Sequence, residues 1–193
     1  MKQLDIGSLQ GEEKIRKAGE FFKQIADLNK EYFTYWYHHT FLHWDFILSW
    51  VLAIGPWIFW VKYRKKDSTG RLLFVGFFAI IFSSWLDFLG SEIGLWYYTG
   101  VAIPTIPSYV PWDFSLFPVA VMVFLQMKPG WSPYLKAAIY STLCSFVAEP
   151  IFRWLGYYVL VHWAYWWSFP IYFLMYILCD KISKMTTFSK LDP

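Results

Sequence analysis

The chain has 193 residues, of which 57% are hydrophobic, 24% aromatic and only 16% charged. A soluble domain carries about 25% charged residues, so the composition excludes an ordinary soluble domain and indicates an integral membrane protein. The net charge of +3 says less than the way the basic residues cluster.

Residues 1–31 are polar and charged with no early apolar core, so no signal peptide is expected. Within 11–31, Ile15, Ala18, Phe22, Ile25 and Leu28 recur at helical spacing. That pattern predicts an amphipathic helix on a membrane surface or against a partner. Residues 32–44, YFTYWYHHTFLHW, are aromatic and carry three histidines, as suits a membrane interface. The expected division is therefore 1–40 as amphipathic helix and interfacial segment, 41–182 as a transmembrane bundle, and 183–193 as a short cytoplasmic tail.

The predicted fold is all-α, with about five transmembrane helices. The first span runs from about Phe41 to Val61, enough to cross a core of ~30 Å, with a kink expected at Gly55-Pro56. Lys62, Arg64, Lys65, Lys66 and Arg71 follow and mark a cytoplasmic loop. Span two covers about Leu72 to Leu89. Residues 97–111 contain three prolines and no basic residue, which predicts a stiff external loop. Span three covers about Pro111 to Met127, and Lys128 and Lys136 flank a cytoplasmic turn. Span four runs from about Tyr134 to Val161 and is interrupted at Glu149-Pro150. Span five covers about Trp163 to Leu178, and Lys181, Lys184 and Lys190 follow it. This loop charge pattern puts the N-terminus outside and the C-terminus in the cytoplasm of a cell-membrane protein. Cys144 and Cys179 sit inside apolar runs and are expected as free buried thiols.

An internal repeat runs through the same segments. Trp44-Asp45-Phe46 and Trp112-Asp113-Phe114 each open a descending helix, and the returning helices each end in an aromatic cluster. Repeats of this kind occur in transporters.

Ionisable groups inside apolar spans are costly and ask for a reason. Asp87 and Glu149 each stand about 22 Å above the inner end of their span at the helical rise. Asp45, Glu92 and Asp113 lie near the same outer level, together with Arg153 and His38, His39, His43 and His162. Asp113 and Asp45 also suit helix first turns, where a carboxylate meets free N–H groups. Glu149 and Arg153 stand one helical turn apart and are expected to pair. Asp87 has no basic neighbour on its own helix, and Gly90 beside it predicts the close approach of a neighbouring backbone. Asp87 and Glu149 are the candidate catalytic residues. Asp87, Glu92, Trp96, Asp113, Glu149 and Arg153 are the candidate binding residues. His39 and His43 have helical metal-ligand spacing, but no HExxH motif is present and no metal or other cofactor is indicated. Nothing resembles a phosphate loop, a redox CxxC, a nucleophile elbow or a nucleic-acid module.

The segments WDF, LDFLGSEIGLWYY and VPWDFSLFP resemble an uncharacterised family of small multi-spanning membrane proteins of spore-forming Bacillota, over roughly residues 40–180. That resemblance implies a fold and a membrane location. Asp87, Gly94, Trp96 and Pro111 are more distantly similar to a pattern in the small membrane lycopene cyclases. Those carry paired glutamates after the proline, where this chain has Trp112-Asp113. The leading expectation is a membrane protein with an outward-facing polar pocket for a small or lipid-like ligand or a partner. The partners implied are membrane lipid and a membrane protein or second copy, with no nucleic acid. An isoprenoid-modifying enzyme and a small proton- or cation-coupled transporter are the alternatives.

Overall fold

The structure is a computed structural model that describes residues 10–106 and 108–185. Lys190 and the rest of the expected tail beyond 185 therefore lie outside the described residues. The chain is mostly helical and divides into two compact units, one up to Phe41 and one from Leu42.

The first unit is one helix, α1 (Glu12–His39). The expected change at residue 31 is absent because no Gly or Pro interrupts residues 20–39. Arg16 and Glu20 form an ion pair at 2.8 Å along its exposed side. Ile15, Phe22, Ile25 and Leu28 are exposed.

The second unit begins with α2 (Trp44–Tyr63), which contains Pro56. A short 3₁₀ turn (Lys66–Ser68) leads into α3 (Thr69–Glu92). The π-helical turn Trp112–Leu116 continues into α4 (Phe117–Gln126). Next come α5 (Pro133–Leu143), a second π-helical turn (Cys144–Ala148) and α6 (Glu149–Trp154). The second π turn stands where Pro150 removes the N–H that the Phe146 carbonyl would otherwise accept. The last described helix is α7 (Tyr165–Ser183). Among the described residues three helical stretches, Trp44–Tyr63, Lys66–Glu92 and Pro133–Trp154, are long and apolar enough to cross a membrane, and Trp112–Gln126 is apolar but shorter.

The helical stretch expected as the fourth span thus ends at Trp154, short of the expected Val161, and the aromatic segment 96–98 is not a helix end. Instead, strands β1 (Trp96–Tyr98) and β2 (Tyr158–Leu160) pair antiparallel, with Tyr98 opposite Tyr158. The reason lies in two matching helix ends. Gly94 (φ 76°) and Gly156 (φ 84°) both adopt the left-handed conformation. Behind each, the next N–H reaches back to the last helical turn: Leu95 to the Gly90 carbonyl and Tyr157 to the Phe152 carbonyl, both at 2.9 Å. This Schellman geometry stops the helix and redirects the chain. Asp87 precedes Gly94 by the same interval at which Glu149 precedes Gly156. The repeat read from the WDF segments therefore extends through the carboxyls and the caps.

Helix α3 turns its small residues inward and its large apolar residues outward. The inner face of α3 holds Val75, Gly76, Ala79, Ser83, Asp87 and Gly90. Its outer face exposes Phe77, Ile81, Trp85 and Leu89. Small inner residues allow close helix approach, and the core of Val75, Ala79, Phe117, Val121, Tyr140 and Tyr176 forms against them.

Each end of the second unit is tied by hydrogen bonds between distant segments. At one end the Lys65 N–H donates to Gln126 Oε1 at 2.6 Å, and the Arg71 guanidinium donates to the Ser183 carbonyl at 2.9 Å. The basic loop after α2 and the last turns of α4 and α7 share this end. At the other end the Tyr157 hydroxyl donates to the Asp45 carbonyl at 2.8 Å, and Ser49 donates to the Gly100 carbonyl at 2.7 Å.

Candidate functional site

A cavity of about 200 Å³ opens at the strand-pair end of the second unit, among α3, the Trp112–Leu116 turn, α6 and α7. Three carboxyl groups line it: Asp87, Asp113 and Glu149. Its walls include Tyr98, Trp112, Phe152, Tyr158, Trp163 and Tyr172. At its rim Leu89 is 51% and Ile93 68% exposed, so the mouth is apolar.

Asp87 is buried and accepts three hydrogen bonds. Trp96 Nε1–H (3.1 Å) and the Tyr98 hydroxyl (2.7 Å) donate to Oδ1, and the Tyr109 backbone N–H (3.2 Å) donates to Oδ2. The Schellman cap at Gly94 turns the chain so that β1 lays Trp96 and Tyr98 back over α3. Gly90 makes this possible. The close neighbour predicted there is the Trp96 indole and not a backbone segment, and a β-carbon at Gly90 would overlap that ring.

Asp113 is 1% exposed. Its carboxyl faces that of Asp87 within hydrogen-bonding reach, while its Oδ2 has no donor. The first-turn capping role expected for Asp113 is not what its side chain does: no side-chain cap bond forms at this turn. The π turn presents the carboxyl to the cavity instead. Asp45 stays near its expected place, accepting the Phe46 N–H at 3.0 Å in the first turn of α2.

Glu149 is buried. Its Oε1 accepts the Tyr172 hydroxyl at 2.8 Å and its Oε2 accepts the Ser168 hydroxyl at 3.1 Å. Trp163 Nε1–H in turn donates to Ser168 Oγ at 2.9 Å. The expected Glu149–Arg153 pair is not formed: the two donors on α7 occupy the carboxylate. Arg153 is exposed, and its hydrogen bond goes to the Tyr165 hydroxyl at 3.5 Å. Glu92 is also exposed, and neither Glu92 nor Arg153 lines the cavity. Trp96 does. His39 Nδ1 bonds the Tyr35 carbonyl at 2.8 Å. Among the described residues no three His, Cys, Asp or Glu groups gather as metal ligands.

The site therefore joins Asp87, Trp96, Asp113 and Glu149, and adds Tyr98, Tyr109, Ser168 and Tyr172, which sequence reasoning missed. A signal for Ser168 was available, since a hydroxyl in an apolar span has to find a partner. The tyrosines were masked by the aromatic belt around them. Burial raises the phenols of Tyr98, Tyr157 (to about 12) and Tyr158, so these hydroxyls remain neutral at physiological pH, and those of Tyr98 and Tyr157 donate.

Fold and site together define a helical protein with membrane-length apolar helices and a carboxyl-lined aromatic cavity. A scan against protein-family models finds no match, and searches of curated proteins and of solved structures return none.

Proposed function

We propose that this chain is a multi-pass protein of the cell membrane, with about five spans, that binds a small apolar molecule, or one end of a lipid-like molecule, in the cavity at its strand-pair end. The observation that carries this reading is the cavity itself: buried carboxyls behind aromatic walls, with Leu89 and Ile93 exposed at the mouth. A pocket that is mostly apolar and has a few converging polar groups is the usual form of a small-molecule site. The exposed apolar face of α3 supports a hydrocarbon surround, since an aqueous surround would leave it a large unfavourable patch. An apolar rim in that setting gives ligands a route from the bilayer without crossing water.

The volume bounds the ligand. An engineered cavity of about 150 Å³ holds benzene, so this one suits a substituted ring or the end group of a longer chain. The occupied state of Asp87 favours binding over acid catalysis, because a carboxyl already accepting three hydrogen bonds is poorly placed to give a proton to a substrate carbon.

The test is solvent extraction and mass spectrometry of the purified protein, with Ile171→Trp as a variant that fills the cavity. Wild type is expected to carry a small apolar compound that the variant lacks. Equal contents in a folded variant and in wild type would refute binding at this site.

A further inference from the structure

Helix α1 carries an apolar face that the rest of the chain leaves open. Among the described residues of α1 only Trp36 is buried, and Phe21, Phe22, Ile25 and Leu28 are each more than half exposed. At about 100° per residue, the apolar side chains from Ile15 to Phe33 fill an arc of about 160°. That is wider than a coiled-coil seam. Beside the seam Ile15-Ala18-Phe22-Ile25, a two-stranded coiled coil carries charges. Those flanking positions hold Phe21, Ala26, Leu28 and Phe33 instead, so the face does not suit a second copy of α1.

The charges are sorted around the remaining arc. Glu13, Glu20, Asp27 and Glu31 run along its middle, Lys17 stands at one border with the apolar arc, and Lys23 and Lys30 stand at the other. Arg16, beside the acids, pairs with Glu20 at 2.8 Å. Glu12 and Lys14, in the first turn, depart from this order. A border lysine lays its apolar stem along a hydrocarbon boundary and sends its ammonium outward. At the boundary of a phospholipid layer the headgroup phosphates stand at that height, and acids in the middle of the polar arc face the water. Between Glu12 and Glu31 five basic residues balance five acidic ones. The charge match is therefore to individual phosphates and not to a net anionic surface. Only Thr40–His43 separate α1 from α2, which is long and apolar enough to cross a membrane, and this brings a bilayer boundary within reach.

We propose that α1 binds the phospholipid bilayer surface, lying in the headgroup plane. Phe21, Phe22, Ile25 and Leu28 enter the outer acyl region, and Lys17, Lys23 and Lys30 contact headgroup phosphates, for which zwitterionic lipid suffices. The inference rests on the membrane placement proposed above and adds a lipid contact that does not involve the cavity.

The full chain, with Cys144 and Cys179 replaced, is labelled with a fluorophore at Ile25→Cys or Asp27→Cys, both positions being exposed. It is reconstituted in phosphatidylcholine vesicles, and quenching by a nitroxide on acyl carbon 5 is compared with quenching by aqueous iodide. For a helix seated ~5–10 Å into the layer, the nitroxide is expected to quench position 25 at least about threefold more than position 27, and iodide to reverse the order. The same order is expected in high salt and with phosphatidylglycerol added. Equal quenching at the two positions, or an order that needs phosphatidylglycerol and disappears in high salt, would overturn the proposal. Protection of position 25 from both quenchers would overturn it in favour of a protein neighbour. Lys23→Glu with Lys30→Glu is expected to cut nitroxide quenching at position 25 by about half or more, and unchanged quenching would remove these lysines as phosphate contacts. Ile81→Cys, exposed near the middle of α3, separates the two readings. Quenching there by a nitroxide on acyl carbon 12, with none at position 25, would overturn the surface helix alone. No lipid quenching at either position would overturn the membrane placement as well.

Discussion

Gly90→Ala is the most informative single change. Alanine in a helix interior is ordinarily more stable than glycine, by about 1 kcal/mol, and on an isolated α3 the substitution would help. In the fold, the added methyl overlaps the Trp96 indole. Gly90 is itself buried, so the ring cannot simply swing into open space. Displacing it costs about 1–3 kcal/mol as overpacking. Moving the ring also breaks the Trp96–Asp87 hydrogen bond, which adds roughly 1–3 kcal/mol for a bond to a buried carboxyl. Set against the propensity gain of about 1 kcal/mol, the expected outcome is a loss of about 1–5 kcal/mol. The assay is a reversible detergent-denaturant titration followed by circular dichroism. A double-mutant cycle with Trp96→Leu isolates the contact. In that background the ring is gone, and Gly90→Ala should become neutral or stabilising by about 1 kcal/mol. The sign of the effect is therefore expected to reverse between the two backgrounds. A Gly90→Ala protein as stable as wild type, or the same change in both backgrounds, would refute the seating of Trp96 on α3 and the Asp87 geometry built on it.

The two aspartates should differ under the same substitution. Asp87→Asn must turn its amide toward Trp96 and Tyr98 or toward the Tyr109 N–H, all of them donors, and should destabilise by about 1–3 kcal/mol. Asp113→Asn can place its amide at the position that has no donor and reach Asp87, so it should cost less than about 1 kcal/mol; equal losses in a denaturant titration would contradict the asymmetry. Orientation is tested by labelling single cysteines after replacement of Cys144 and Cys179. Thr105→Cys should react from outside and Asp67→Cys only after permeabilisation, both positions being exposed, and the opposite pattern would invert the proposed topology.

Much of the helical plan was legible because it depends on local composition. Apolar runs of spanning length, the basic loop after Tyr63 and the proline at 150 each act within one segment, through transfer of side chains to an apolar surround or loss of one backbone donor. Asp87, Asp113 and Glu149 stood out for the same reason, since a carboxyl in an apolar run is anomalous wherever the run folds. Their partners were not legible. Asp87 is satisfied by Trp96, Tyr98 and Tyr109, and Glu149 by Ser168 and Tyr172, none of them within one helical turn. The local rule that a carboxylate and an arginine one turn apart will pair failed at Glu149 because α7 delivers two hydroxyls to it first. The strand pair was hidden in a similar way. In isolation Trp96–Tyr98 resembles interfacial aromatic residues and Tyr158–Leu160 the end of an apolar span, and each becomes a strand only because the other lies beside it. The glycines at 94 and 156 carried the local half of that information, by stopping the helices. Tertiary structure alone decided where the released chain went, and so which donors closed over the carboxyls.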